Sequence, residues 1–277
     1  MTTCPVCSSI HIQRVYTYTH PPAGETVFPF TERDYRRTLL QCIPCKHCWN
    51  EYGFDCDWNN FYGSVYNQAT YGDRFQQEYA RIQALPFEQS NNKQRVANLK
   101  RYMMSIHADI PRRVLDVGSG LCVFLAEMVK TGYWTGTAID PDPRSVAHAR
   151  DIGVTRYGEV TVIEGAFGEG KFYDIGEFDL ITFNNVIEHV QYPETVLAEA
   201  RSYLAPEGVV YIEVPDGEEA VKRGQNQPEL FVEHLHVFSV ASLAMVASNA
   251  GLCVKRIDRI VEPNGNLTLR GYCNVRK

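Results

Sequence analysis

The amino-acid sequence predicts an α/β fold: a mostly parallel sheet layered with helices, finished by an antiparallel last strand and preceded by a small cysteine-rich module. Three observations predict it. From Arg112 onward, short apolar runs alternate with helix-patterned segments, the rhythm of strand-helix units in a parallel sheet. Six of the nine cysteines fall within the first 56 residues. Two strand-like runs near the C-terminus, LCVKRIDRIVE and LTLRGYCNV, are joined through Asn264-Gly265, a pair that favours a tight hairpin.

The chain of 277 residues and 31.5 kDa is long enough for one ordinary domain and a small second one. Its 44% hydrophobic and 22% charged content excludes broad disorder. A net charge of −6 argues against binding a phosphate backbone. No apolar run approaches the roughly 18 residues of a membrane span, and MTTCPVCSSI lacks a basic-then-apolar export signal. A cytoplasmic protein with no membrane partner is the resulting expectation.

Residues 1–56 are predicted to form the module. Each of CPVC and CIPC sets two thiols at a spacing that lets both bind one tetrahedral ion. Cys4, Cys7, Cys42 and Cys45 together make a closed four-sulfur site for structural zinc, which would hold a segment too small to build its own core. Cys48 supplies CKHC as a rival second pair, and His47 is another possible ligand; Cys42 and Cys45 are preferred. Phe28, Phe30 and Tyr35 are read as core of the module rather than as a partner surface.

Residues 57–110 read as a Tyr-rich helical connector ending in the helix KQRVANLKRYMMSIH, and residues 111–277 as the α/β domain. The strand VLDVGSG runs into a glycine turn and then the helix CVFLAEMVK. Glycine lets backbone approach a ligand closely and take positive φ, so Gly118 and Gly120 form the floor of a cofactor site. The next strand, WTGTAID, ends in Asp140, 24 residues beyond Asp116, close to the offset at which an acidic residue grips ribose hydroxyls. A nicotinamide cofactor would need a third glycine near Phe124 for its pyrophosphate. Asp116 would repel that group but suits an ammonium, so S-adenosylmethionine fits better.

At these motifs the chain resembles the class I S-adenosylmethionine-dependent methyltransferases over about residues 95–277. VLDVGSG looks like the first family motif and AIDPDP like the second. FDLITFNNVIEHVQYPETVLAEARSYLAPEGVVYIEVPD is similar to the segment from strand four to strand five, and EHLHVFSVASLAMVASNAGLCV to the stretch that follows. The resemblance implies a Rossmann-like methyltransferase sheet in which Asp116, Gly118 and Gly120 surround the methionine portion. It also implies that Asp140, with Pro141 beside it, takes the ribose, that Ala166 and Phe167 contact adenine, and that Phe183 and Asn184 lie beside the sulfonium. Cys122 replaces a third glycine, and GAFGEG lacks the usual adenine-binding acid. Glu188 and His189 match part of a Glu-x-x-Glu-His metal pattern, but Asn185 replaces its first Glu, and His189 is read as structural. Two cysteine pairs, a Tyr-rich connector and this domain together resemble zinc-containing sugar and nucleotide-sugar C-methyltransferases, which carry a further C-terminal domain.

Methyl transfer to a hydroxyl or an acidic carbon needs a base, and histidine is the commonest. His234 and His236 sit in the irregular stretch 215–237, a segment placed to cover a site; at strand spacing they point the same way, and His234 is preferred as the base. Tyr62, Tyr66 and Tyr71 either close over the cofactor, Tyr66 being taken as a contact, or pack against the sheet. Arg223 is read as solvated surface rather than as a phosphate contact. The expected function is methylation of a small polar acceptor, a sugar or nucleotide sugar. An RNA or protein methyltransferase using the zinc module to grip a macromolecule, and a non-catalytic nucleoside-binding module, are the alternatives.

Overall fold

The computed structural model describes residues 2–26, 28, 35–58, 61–106, 112–130, 132–152, 160–168 and 174–275; Phe30 lies outside them. Three antiparallel strands come first: β1 (Ile12–Tyr18), β2 (Arg37–Cys42) and β3 (Cys48–Tyr52). A π-helical turn, Phe61–Val65, leads into α1 (Tyr66–Tyr71), followed by α2 (Phe75–Ala84) and α3 (Asn91–Ile106). Burial of Val96, Leu99 and Met103 on one face seats α3 against the domain.

The domain then alternates β4 (Arg112–Val117), α4 (Val123–Val129), β5 (Trp134–Asp140), α5 (Pro143–Asp151), β6 (Val160–Glu164), β7 (Phe178–Asn184), α6 (Pro193–Arg201) and β8 (Leu204–Pro215). Local signals end these elements: Asp142 caps α5 by accepting from the Arg144 amide at 2.8 Å, with Pro143 in the first turn. The segment expected to be irregular contains helix α7 (Gly217–Arg223) and the two-residue strand β9 (His236–Val237). Arg223 ends α7 half exposed, 3.8 Å from Glu219. Helix α8 (Val240–Asn249) is opened by a reciprocal Ser239/Ser242 capping box. Strands β10 (Leu252–Val261) and β11 (Leu267–Val275) form the closing hairpin. Its turn is longer than two residues: Glu262 and Asn266 are bonded across it, with Gly265 at φ +92°.

The seven-stranded sheet runs β10-β11-β8-β7-β4-β5-β6, with β11 antiparallel to β8 and to β10. Strand order reverses at β4, whose neighbours β5 and β7 leave in opposite directions and open a crevice at their C-terminal ends. The second sheet runs β1-β2-β3-β9, so the N-terminal module takes its edge strand from the far end of the chain. Cys4, Val6, Cys42 and Cys45 belong to the same apolar cluster as Leu115, Ile181 and Phe238; the module shares the domain's core. Phe28 packs edge-on against Phe61, ring centroids 4.7 Å apart, and Tyr35 is buried beside Glu25 and Arg37. No helix among the described residues is long and apolar enough to cross a membrane.

Candidate active site

A cavity of about 640 Å³ opens at the crevice. Its floor is the turn after β4. Gly118 has φ +67°, and a Cβ there would lie 2.6 Å from Val186 Cγ2, so only glycine fits. Gly120 has φ +50° and meets no side chain within 4 Å, leaving backbone exposed to the cavity. Cys122, where a third glycine was absent, is left-handed at φ +57° and caps α4 without a side-chain bond.

Asp116 and Asp140 stand on either side of this floor. Thr182 Oγ1 and Asn184 Nδ2 donate to Asp116 Oδ1 at 2.7 and 2.8 Å, because β4 and β7 pair Asp116 with Thr182. The Gly120 and Asp142 amides donate to the two oxygens of Asp140, at 2.8 and 2.9 Å. Burial pushes both carboxyls up to about 6, and the hydrogen bonds oppose it. Asn184 Oδ1 is buried in the cavity wall without a partner. Pro141, Ala166, Phe167, Asn184 and Tyr66 also line the cavity. Phe183 does not: strand alternation turns it to the opposite face, wholly buried with its ring 6.2 Å from that of Phe167.

The sequence profile of a family described as "Methyltransferase domain" matches residues 80–269. The chain belongs to the class I S-adenosylmethionine-dependent methyltransferases. The chain is 32% identical over 103 residues to the ubiquinone biosynthesis O-methyltransferase of Actinobacillus pleuropneumoniae, covering 36% of this chain and 44% of that one. It is 36% identical over 110 residues to the protein of that name from Nitrosococcus oceani, covering 38% and 44%. It therefore spans less than half the length of the curated relatives it matches. Among solved structures it resembles the magnesium protoporphyrin IX methyltransferase of Synechocystis with bound SAH (S-adenosylhomocysteine). There the TM-score is 0.56 at 13% identity, over 76% of this chain and 97% of that one. A SAM-dependent methyltransferase from Aquifex aeolicus gives a TM-score of 0.52 at 18% identity, over 71% and 96%. These likenesses are of fold.

The far end of the cavity is built differently. Trp58, Tyr62 and Tyr66 from the connector, Glu188 and His189 after β7, and His234 from the segment before β9 enclose it. His234 Nδ1 lies 2.9 Å from the Glu229 carbonyl and His189 Nδ1 3.1 Å from the Glu233 carbonyl. Carbonyls only accept, so both rings carry hydrogen on Nδ1 and leave Nε2 bare. Burial depresses His234 to about 3 and His189 to about 4. Glu188 is fully buried with both carboxyl oxygens unpartnered, and burial holds it protonated well above the usual carboxylate range. Ligand atoms of Glu188, His189 and His234 all lie within 4.8 Å of one another.

His236 is not in this group. Alternate positions of a continuous strand would have aimed it with His234, but residues 231–235 turn through a Phe231–His234 backbone bond before β9 begins. His236 points instead to His47, whose Nε2 lies 3.2 Å from its Nδ1, and it is buried away from the cavity. Sequence reading discounted Glu188 as part of a metal pattern and treated His189 as structural, because Asn185 stands where that pattern has its first Glu. Arg95 was missed altogether; it lines the cavity from α3 and pairs with buried Glu213.

In the module, Cys4 and Cys45 sulfurs are 3.6 Å apart, those of Cys7 and Cys42 3.4 Å, and all four lie within 4.8 Å of one another. Tetrahedral zinc at about 2.3 Å from each sulfur needs spacings of this size. Cys48 faces away, its sulfur 3.3 Å from Gln41 Nε2, and His47 is occupied by Ser242 and His236.

Proposed function

We propose that the protein methylates a hydroxyl of a small-molecule acceptor, with the cofactor held at the glycine turn and the acceptor among Trp58, Tyr62, Tyr66, Glu188, His189 and His234. One observation carries this reading: a single cavity joins the glycine floor to a pocket of two bare imidazole nitrogens and a buried neutral carboxyl. The open backbone at Gly120 and the lone Asn184 oxygen fit the ammonium-bearing end of S-adenosylmethionine, and Asp140 fits its ribose hydroxyls. The cofactor, when bound, supplies a methyl group already activated on a sulfonium.

Positioning is then the main task of the chain. Glu188, held neutral, can donate one hydrogen bond to orient the acceptor. His234 Nε2 takes the hydroxyl proton as the new carbon–oxygen bond forms. A ring depressed to about 3 is a weak base; it suits a proton that becomes strongly acidic during transfer and is poorly matched to removing one from carbon beforehand. That difference, with the O-methyltransferase names of the relatives, favours oxygen over carbon.

The aromatic walls suit the apolar face of a ring, and the whole-chain resemblance points to a sugar or nucleotide sugar as the acceptor class. Cys4, Cys7, Cys42 and Cys45 hold structural zinc, and Trp58, Tyr62 and Tyr66 of the connector cover the acceptor. Calorimetric titration with S-adenosylhomocysteine, followed by labelled-methyl transfer to sugars, nucleotide sugars and phenols, tests the reading. Binding with transfer to a hydroxyl is expected. Absence of binding to folded protein refutes it, and product methylated on carbon refutes the oxygen assignment.

A further inference from the structure

The segment carrying His234 is held from outside the methyltransferase sheet. Val232 is fully buried, and both of its main-chain groups end on side chains of the module: its amide donates to Glu25 Oε1 at 2.7 Å, and its carbonyl accepts from Tyr52 OH at 2.9 Å. The His234 carbonyl accepts from Asn50 Nδ2 at 3.2 Å. Arg37 sets both partners. Its Nη2 pairs with Glu25 Oε1 at 2.9 Å, and its Nη1 donates to Asn50 Oδ1 at 2.8 Å, which leaves the Asn50 amide nitrogen for His234. Tyr35 OH donates to the second Glu25 oxygen at 2.5 Å.

The connection continues along the chain to the cysteines. β3 follows the Cys42–Cys45 turn directly and pairs Trp49 with His236 and Cys48 with Val237. Beyond β9, Ser239 Oγ donates to the Cys45 carbonyl at 2.6 Å. We propose that the module is a positioning device for His234: Glu25, Asn50 and Tyr52 fix the main chain of residues 232–234, and β3 registers that segment against the four-cysteine turn. The consequence is chemical. With the His234 backbone held, its Nδ1 stays on the Glu229 carbonyl and its Nε2 stays bare towards the cavity; released, the ring would exchange tautomers. The inference rests on the assignment of His234 as base and of the cysteines as zinc ligands, but its readouts need neither acceptor nor turnover.

The experiment compares the zinc-loaded 277-residue chain with its Asn50→Leu and Tyr52→Phe variants, using imidazole nitrogen NMR and amide hydrogen exchange. The parent is expected to show one Nδ1–H tautomer at His234. Each variant is expected to show an averaged ring signal and roughly tenfold faster exchange at residues 232–236, with β4 and β7 within about twofold of the parent. Zinc removal by chelation is expected to give the same local signature. An unchanged His234 signal with unchanged exchange in both variants overturns the proposal, and so does a uniform rise across β4 and β7. Failure to bind S-adenosylhomocysteine would refute the methyl-transfer reading while leaving these two readouts to decide this one.

Discussion

The two ends of the cavity, proposed above for the cofactor and for the acceptor, are made by different means. At the cofactor end, Asp116, Gly118, Gly120 and Asp140 come from two adjacent parallel strands and the turn between β4 and α4, and their partners are mostly backbone amides and neighbouring strands. At the acceptor end, Trp58, Tyr62, His189 and His234 come from segments up to 176 residues apart. Their partners there are the carbonyls of Glu229 and Glu233, in a segment whose Val232 and His234 carbonyls accept from Tyr52 and Asn50 far away in the chain. A site made of strand ends inherits its geometry from the sheet, whereas a site made of loops needs each loop held separately.

Replacing His234 with Asn should separate the ends most sharply. Methyl transfer is expected to fall about 10²–10⁴-fold while calorimetric affinity for S-adenosylhomocysteine is retained; loss of affinity would mean that the ends are not separate. Gly118→Val attacks the other end, forcing a branched side chain against Val186 at positive φ. It is expected to cost about 1–3 kcal/mol of stability in denaturant unfolding and to weaken cofactor-product affinity about tenfold to hundredfold.

Protonation gives a gentler contrast. Asp116 and Asp140 titrate near 6 because they are buried, so the ligand-free fold keeps protons that the unfolded chain has already lost above the ordinary carboxylate range. Its stability therefore falls as pH rises through that window towards 6. A ligand presenting N–H and O–H donors favours the ionised forms, and affinity for S-adenosylhomocysteine should rise about tenfold between pH 5 and pH 7 with proton release. A flat calorimetric profile would assign the carboxylates to structure alone. The smallest effect is expected for His236→Asn, which loses the His47 contact: about 1 kcal/mol in thermal unfolding, with cofactor-product affinity unchanged.

Much of the cofactor end was legible because its cues are local. A strand, a glycine turn and an acid at the end of the next strand lie within residues 112–140, and period-two burial fixes which side chains share a face. The same periodicity parts a pair that the family resemblance had placed together: Asp116 and Asn184 share a face, and Phe183 faces away. The acceptor end was legible only as residue types. His234 could be singled out, but His236 looked nearly equivalent until the bend at residues 231–235 parted them, and Glu188 stood out only within a metal pattern whose first Glu is replaced by Asn185.

Chain order and periodicity by themselves determined the alternation of strands and helices, the closing hairpin, the glycine floor and the grouping of cysteines, since each depends on residues close in sequence. Only the tertiary structure decided that β9 completes the module's sheet, that Cys48 turns away from the other thiols, and that the His189 and His234 rings pack together beside Glu188. Those outcomes depend on contacts between residues far apart in sequence, made as separate segments compete to bury apolar surface and satisfy their backbone groups together, and no local pattern encodes them.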